Sequence, residues 1–101
     1  STRDLLSAFV DVMGIDEPGT LLCILADDKR GQIKRIVDVI NEEKISLGSV
    51  LVSKTLEESK KAIFPYVFTN NVIRIKEKLL ADGFEITDPM KWYFKQLPQK
   101  E

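Results

Sequence analysis

The residues whose types and spacing could do chemistry lie in one segment, Ala26-Asp27-Asp28-Lys29-Arg30-Gly31-Gln32-Ile33. An apolar run, Thr20 to Ala26, leads into it, and an amphipathic run, Gln32 to Lys44, leads out. A strand-to-helix turn with Gly at the helix start leaves the first-turn N–H groups without intrahelical partners. Such donors can bind a carboxylate or a phosphate. Asp28, Arg30, Gly31, Gln32 and Ile33 are therefore candidate ligand-binding residues. A plainer reading stands beside this one: Gly31 simply makes the connection, and Asp27 and Asp28 cap the helix. Arg30 could pair with a carboxylate bidentately or fill the site in the ligand's place.

No other stretch suggests a catalytic constellation, so the sequence points to a sensor or interaction domain, not an enzyme, with no catalytic residues expected. His is absent, which excludes His-dependent triads and His metal ligands in this chain; no metal site is expected. A small phosphate-handling enzyme would need a clustered Arg cradle, and Arg30, Asn41 and Asn70 are too scattered to suggest one. Phe64, Tyr66 and Phe68 alternate as an RNA-stacking surface would. Fifteen basic and sixteen acidic residues, however, give a net charge of −1, without the basic surplus that nucleic-acid binding draws on. Those aromatics read more simply as core or interface.

The 101 residues suffice for one compact domain with its own core. No apolar run approaches the roughly 20 residues of a membrane span, and no signal peptide is visible. Cys23, the lone cysteine, lies within Leu21-Leu22-Cys23-Ile24-Leu25. It reads as packing, and a reducing cytoplasm is its natural setting. The chain begins at Ser1 without Met, which reads as a boundary within a longer protein.

The elements that would position the turn follow from periodicity and punctuation. A helix is expected over Thr2 to Gly14, then a linker, Ile15 to Gly19. Strand one is Thr20 to Ala26. Helix one follows Gly31, with Ile33, Ile36, Val37 and Ile40 as its buried stripe. Strand two is Ile45 to Lys54, with a bulge at Gly48 where the apolar positions change phase. A polar turn, Thr55 to Lys61, leads to strand three, Ala62 to Thr69. Both its faces are apolar, and Pro65 argues for a bulge or an unpaired N–H position. Helix two opens after Thr69 or Asn70, carries Val72, Ile75, Leu79 and Leu80, and stops at Gly83. Strand four is Phe84 to Thr87. Asp88-Pro89 caps a short terminal helix with Met90, Tyr93, Phe94 and Leu97 in phase; Pro98 ends it. Trp92 and Phe94 are expected to pack against the sheet or a partner.

The order βαββαβ implies an α+β, ferredoxin-like fold. It would have a four-stranded antiparallel sheet with two helices on one face, plus the N-terminal helix and the short C-terminal helix. The second sheet face looks too apolar for water, so dimerisation or the terminal helices should cover it. Residues 1–19 read as helix and linker, 20–89 as the main domain and 90–101 as a tail.

With this order, the stretch from Thr20 to about Asp88 resembles an ACT domain, a small-molecule-sensing βαββαβ module of metabolic regulators. That family's turn after strand one reads Asp-Arg-Pro-Gly-x-Leu; here Asp28-Lys29-Arg30-Gly31-Gln32-Ile33 occupies it. Arg30 stands in place of Pro and Ile33 in place of Leu. Ile45-Ser46-Leu47-Gly48-Ser49-Val50 looks like the family's second strand, and Gly83-Phe84-Glu85-Ile86 like its Gly-Tyr-x-Val ending. Ser1-Thr2-Arg3-Asp4-Leu5-Leu6 resembles the end of a CBS domain, commonly Thr-x-x-Asp-Leu-Leu. A CBS pair followed by an ACT domain is similar to acetoin-utilisation-type regulators. The resemblance implies a homodimer that binds an amino acid, with no nucleic-acid or membrane partner. The carboxylate would sit at the turn, and Leu47 and Ser49 of the partner chain would contact the rest. Holding subunits together without a ligand is the alternative role. No cofactor is expected in this chain, although an adenine nucleotide could occupy an adjoining CBS pair.

Overall fold

The computed structural model describes residues 4, 8, 11–12, 18–54 and 59–98. Asp4, Ala8, Asp11 and Val12 are helical; the rest of the helix expected over 2–14, most of the linker and most of the turn at 55–61 lie outside the described residues.

The fold is α+β, an antiparallel five-stranded sheet with three helices among the described residues. The elements are β1 (Thr20–Leu21), β2 (Cys23–Asp27), α1 (Gln32–Glu42), β3 (Leu47–Lys54), β4 (Lys60–Val67), α2 (Ile73–Ala81), β5 (Glu85–Thr87) and α3 (Pro89–Gln96). Across the sheet, β3 pairs with β4, β4 with β1 and β2, and β2 with β5.

The fifth strand, absent from the sequence expectation, has a simple cause. Thr20↔Val67 and Ile24↔Ile63 belong to one unbroken register, so β1 and β2 are one strand interrupted at Leu22. The Leu22 N–H donates to the Pro65 carbonyl at 3.0 Å, but Pro65 has no N–H to return. Pro65 therefore removes one ladder bond without making a bulge. The bulge expected at Gly48 is present, between Leu47 and Ser49. It brings Leu47 and Val50 to the same core. A Cβ on Gly48 would lie 2.7 Å from the tip of the Phe68 ring, so a larger residue there would require that ring to shift.

Alternation along the strands divides the apolar residues between two faces. Leu22, Ile24, Ala26, Ile63 and Val67 meet Ile36, Val39 and Ile40 of α1 and Ile75 and Leu79 of α2 in the main core. Fully burying one such Ile or Leu contributes about 1.5–3 kcal/mol. Cys23, Ala62 and Phe64 form a second cluster on the opposite face, capped by Trp92 of α3. The Phe64 and Trp92 rings meet edge to face, with centroids 5.0 Å apart.

The helix stripes are shifted from those expected. Val39 is fully buried in α1 while Ile33 is exposed; in α2, Leu80 is exposed. In α3, Met90, Tyr93, Phe94 and Leu97 all face solvent, with Phe94 58% exposed, and Trp92 alone turns inward. The α2 N-cap is Val72, without a side-chain bond. Thr69 Oγ1 instead accepts the Asn71 N–H at 3.1 Å. Asp88 caps α3 as expected, accepting the Lys91 N–H at 3.0 Å, with Pro89 following.

Both core helices end in the same way. At Gly83 (φ 93°), the Gly83 N–H donates to Leu80 O and the Phe84 N–H to Leu79 O, a Schellman arrangement. At Lys44 (φ 58°), the Lys44 and Ile45 N–H groups make the equivalent bonds to Asn41 O and Ile40 O. A Cβ in this left-handed region costs roughly 1–2 kcal/mol. Lys44→Gly is thus expected to stabilise the domain by up to about 1 kcal/mol after the added entropy of unfolded Gly. Gly83→Ala, with nothing within 4 Å of the new Cβ, should destabilise it by about 1 kcal/mol. Urea unfolding of the two variants measures both signs.

Salt bridges join the outer faces of α1 and α2. Arg35 meets Asp82 at 2.6 Å, while Glu43 accepts from Lys78 at 2.6 Å and from Arg74 at 2.7 Å. Hydrogen bonds from Lys78 and Arg74 hold the Glu43 carboxyl below its ordinary 4.5, and Arg35 lowers Asp82 likewise. A carboxyl lowered in the folded state adds stability above its unfolded pKa and loses it as pH falls through the folded value. Stability should therefore decline below about pH 4.5, and Glu43→Gln should flatten part of that decline in denaturation curves taken across the acid range.

Candidate functional site

β2 ends at Asp27, paired with Lys60, and the chain turns through Asp28–Arg30 into α1. Gly31 is the N-cap, with φ 88° and no side-chain cap bond, and the first turn contains no acidic residue. The Gly31 carbonyl accepts the first helical bond, from the Arg35 N–H at 3.0 Å. The Gln32, Ile33 and Lys34 N–H groups are the orphan donors of this helix. Nothing lies within 4 Å of where a Gly31 Cβ would be, so the corner is open.

The aspartates do not cap the helix. Asp28 pairs with Lys61 at 3.0 Å and donates its N–H to Ser59 O at 2.9 Å. Asp27 lies between Lys60 (3.9 Å) and Lys29 (4.0 Å). Arg30 is exposed and has no ion pair among the described residues. It therefore does not fill the corner, and its charge adds to the positive end of the helix dipole. A polar hollow of about 150 Å³ adjoins the turn, walled by Asp27, Lys29, Gln32, Lys60 and Gly83. Small-molecule sites usually enclose about 300–1,000 Å³, so this hollow alone suits a carboxylate head group more than a whole ligand.

Asp28, Arg30, Gly31, Gln32 and Ile33 thus come together at one end of the sheet, with Gln32 half-buried and the others exposed. Leu47 and Ser49 do not join them. Leu47 pairs with Val67, whereas Lys54, at the other end of β3, pairs with Lys61 beside the turn. Seven residue steps of strand, roughly 20 Å, separate Leu47 from that end within one chain. The sequence motif had signalled the corner itself, but not the hollow, whose wall at Asp82 and Gly83 comes from the end of α2.

Cys23 is fully buried. Burial, and then the negative charge of Asp88, push its thiol up to about 11, so it stays neutral and unreactive near pH 7. Among the described residues no group of three or more His, Cys, Asp or Glu could hold a metal ion. No described helix is long and apolar enough to cross a membrane. No protein-family profile, curated protein or solved structure matches the chain.

Alkylation of Cys23 in native protein is expected to be slow and to accelerate with denaturant. Labelling at the rate of a free thiol in buffer would contradict its burial.

Proposed function

We propose that this chain is a regulatory small-molecule-sensing and dimerisation domain of the ACT type, binding an amino acid or similar carboxylate at the β2–α1 turn. The carrying observation is the uncapped, open N-terminus of α1 at Gly31. Donors in fixed positions at a positive helix end suit a carboxylate. Two further observations support the reading. The sheet order β3–β4–β1/β2–β5, with α1 and α2 packed on one face, is compatible with a ferredoxin-like fold. The roughly 20 Å from the turn to Leu47 and Ser49 is compatible with a site completed by a partner chain, since one chain cannot close it. The dimer would be a homodimer, in a cytoplasmic regulator whose adjoining CBS pair could hold an adenine nucleotide. Sensing requires the ligand to favour one arrangement of the two chains over another.

A second reading, a ligand-free dimerisation scaffold, draws on the solvent-facing Met90, Tyr93, Phe94 and Leu97 and on Leu51 and Val52 of β3. An RNA-binding sheet draws nothing from the structure: Phe64 and Tyr66 are 9% and 8% exposed, too covered to stack bases.

A ligand at ten times its Kd should add about 1.4 kcal/mol to stability, several degrees in Tm for a domain of this size. A panel of amino acids in thermal melts is expected to give this shift for one or a few members. Gly31→Ala, which strains the corner and covers it with a methyl group, should abolish the shift. A panel without any shift, alongside a dimer in sedimentation, would leave the scaffold reading.

A further inference from the structure

At the other end of the central strand, a ladder runs out before the strand does. The Leu22→Pro65 and Asp28→Ser59 bonds show that even-numbered residues of this strand turn their N–H and C=O toward β4. The odd-numbered residues therefore face β5, where Cys23 is opposite Thr87 and Leu25 opposite Glu85. The next bonded pair in that register would be Leu21 with residue 89. Residue 89 is Pro, without an N–H, and it turns away as the first residue of α3. The Leu21 N–H and C=O are thus left without a ladder partner among the described residues.

This gap opens into a hollow of about 330 Å³ between the sheet end and α2. Its apolar walls include Leu22, Ile86 and Pro89, and its charged ones are Lys76 and Asp88. Lys76 is exposed and makes no ion pair among the described residues. Asp88 uses Oδ2 to cap α3, and its Oδ1 has no hydrogen bond among the described residues. An unpaired N–H and C=O on one strand residue is the template that another extended residue docks on. Here α3 begins at Pro89 and limits the gap to one residue's length. One cation and one anion flank it.

We propose that this hollow binds a free aliphatic α-amino acid. The ligand carboxylate takes the Leu21 N–H and the Lys76 ammonium. The ligand ammonium donates to the Leu21 carbonyl and to Asp88, and the aliphatic side chain lies on Leu22 and Ile86. The site is independent of the β2–α1 turn, which lies roughly 20 Å away at the far end of the same strand.

The test is a titration of the ¹⁵N-labelled chain with L-leucine, followed by amide chemical shifts, with N-acetyl-L-leucinamide as the uncharged counterpart. Saturable shifts at Leu21, Leu22 and Thr87 are expected with leucine, and at least tenfold weaker binding with the capped compound. Lys76→Gln, a surface change whose folding a thermal melt confirms, should also weaken leucine about tenfold. Three results would overturn the proposal: no saturable shift at these amides at millimolar leucine, shifts there that Lys76→Gln leaves unchanged, or equal binding of the capped compound. Shifts confined to Gly31–Ile33 would also overturn it while supporting the turn site, so the two sites succeed or fail separately.

Discussion

The register of the central strand pair, with Ile24 opposite Ile63, is the constraint on which the other contacts depend. It assigns Leu22, Ile24 and Ala26 to the helix-covered face and Cys23 to the face beneath α3. A slip of one residue would exchange these sets. It would put Cys23 and Leu25 under α1 and α2 and move Ile24 out of the main core. The same register makes Pro65 the partner of Leu22, so the missing ladder bond falls inside a strand held by burial on both faces. Pro65 itself is fully buried; lacking an N–H, it leaves no donor of its own unpaired.

On this sheet, α1 and α2 lie side by side and run in opposite directions. Arg35 near the start of α1 reaches Asp82 at the end of α2, and Glu43 past the end of α1 reaches Arg74 near the start of α2. Apolar burial holds the helices down, while the ion pairs on their outer faces fix which residues lie alongside one another. The left-handed residues Gly83 and Lys44 turn the chain sharply enough for β5 and β3 to follow without long loops. The open corner at Gly31 is a product of the same economy: a short connection between strand and helix leaves no side chain in position to cap.

Much of this was legible in the residues. The apolar run at 20–26 marked the central strand, Gly83 marked a helix end, Asp88-Pro89 marked a helix start, and the phase change around Gly48 marked a bulge. Each is a local rule with a local cause. Other features depend on contacts between distant residues. Nothing near Leu22 in sequence shows that its partner is a proline. The α3 stripe reads as amphipathic, yet the helix follows β5 so closely that the Trp92 side lands on Phe64 and the stripe faces away. Lys44 adopts a conformation that its residue type disfavours, where its own N–H and that of Ile45 close the end of α1. At the candidate site, the motif indicated the corner, but the position of Leu47 and Ser49 at the opposite sheet end emerges only from strand pairing.

The outer edge of β3 has a consequence of its own. No described strand borders that side, and the amide and carbonyl groups of Val50 and Val52 point outward from it. Such an edge invites strand-by-strand growth between molecules in crowded solution. The bulge between Leu47 and Ser49 shortens the flat stretch available, as irregular edges commonly do. This works against fibrous association along the β3 border of the sheet.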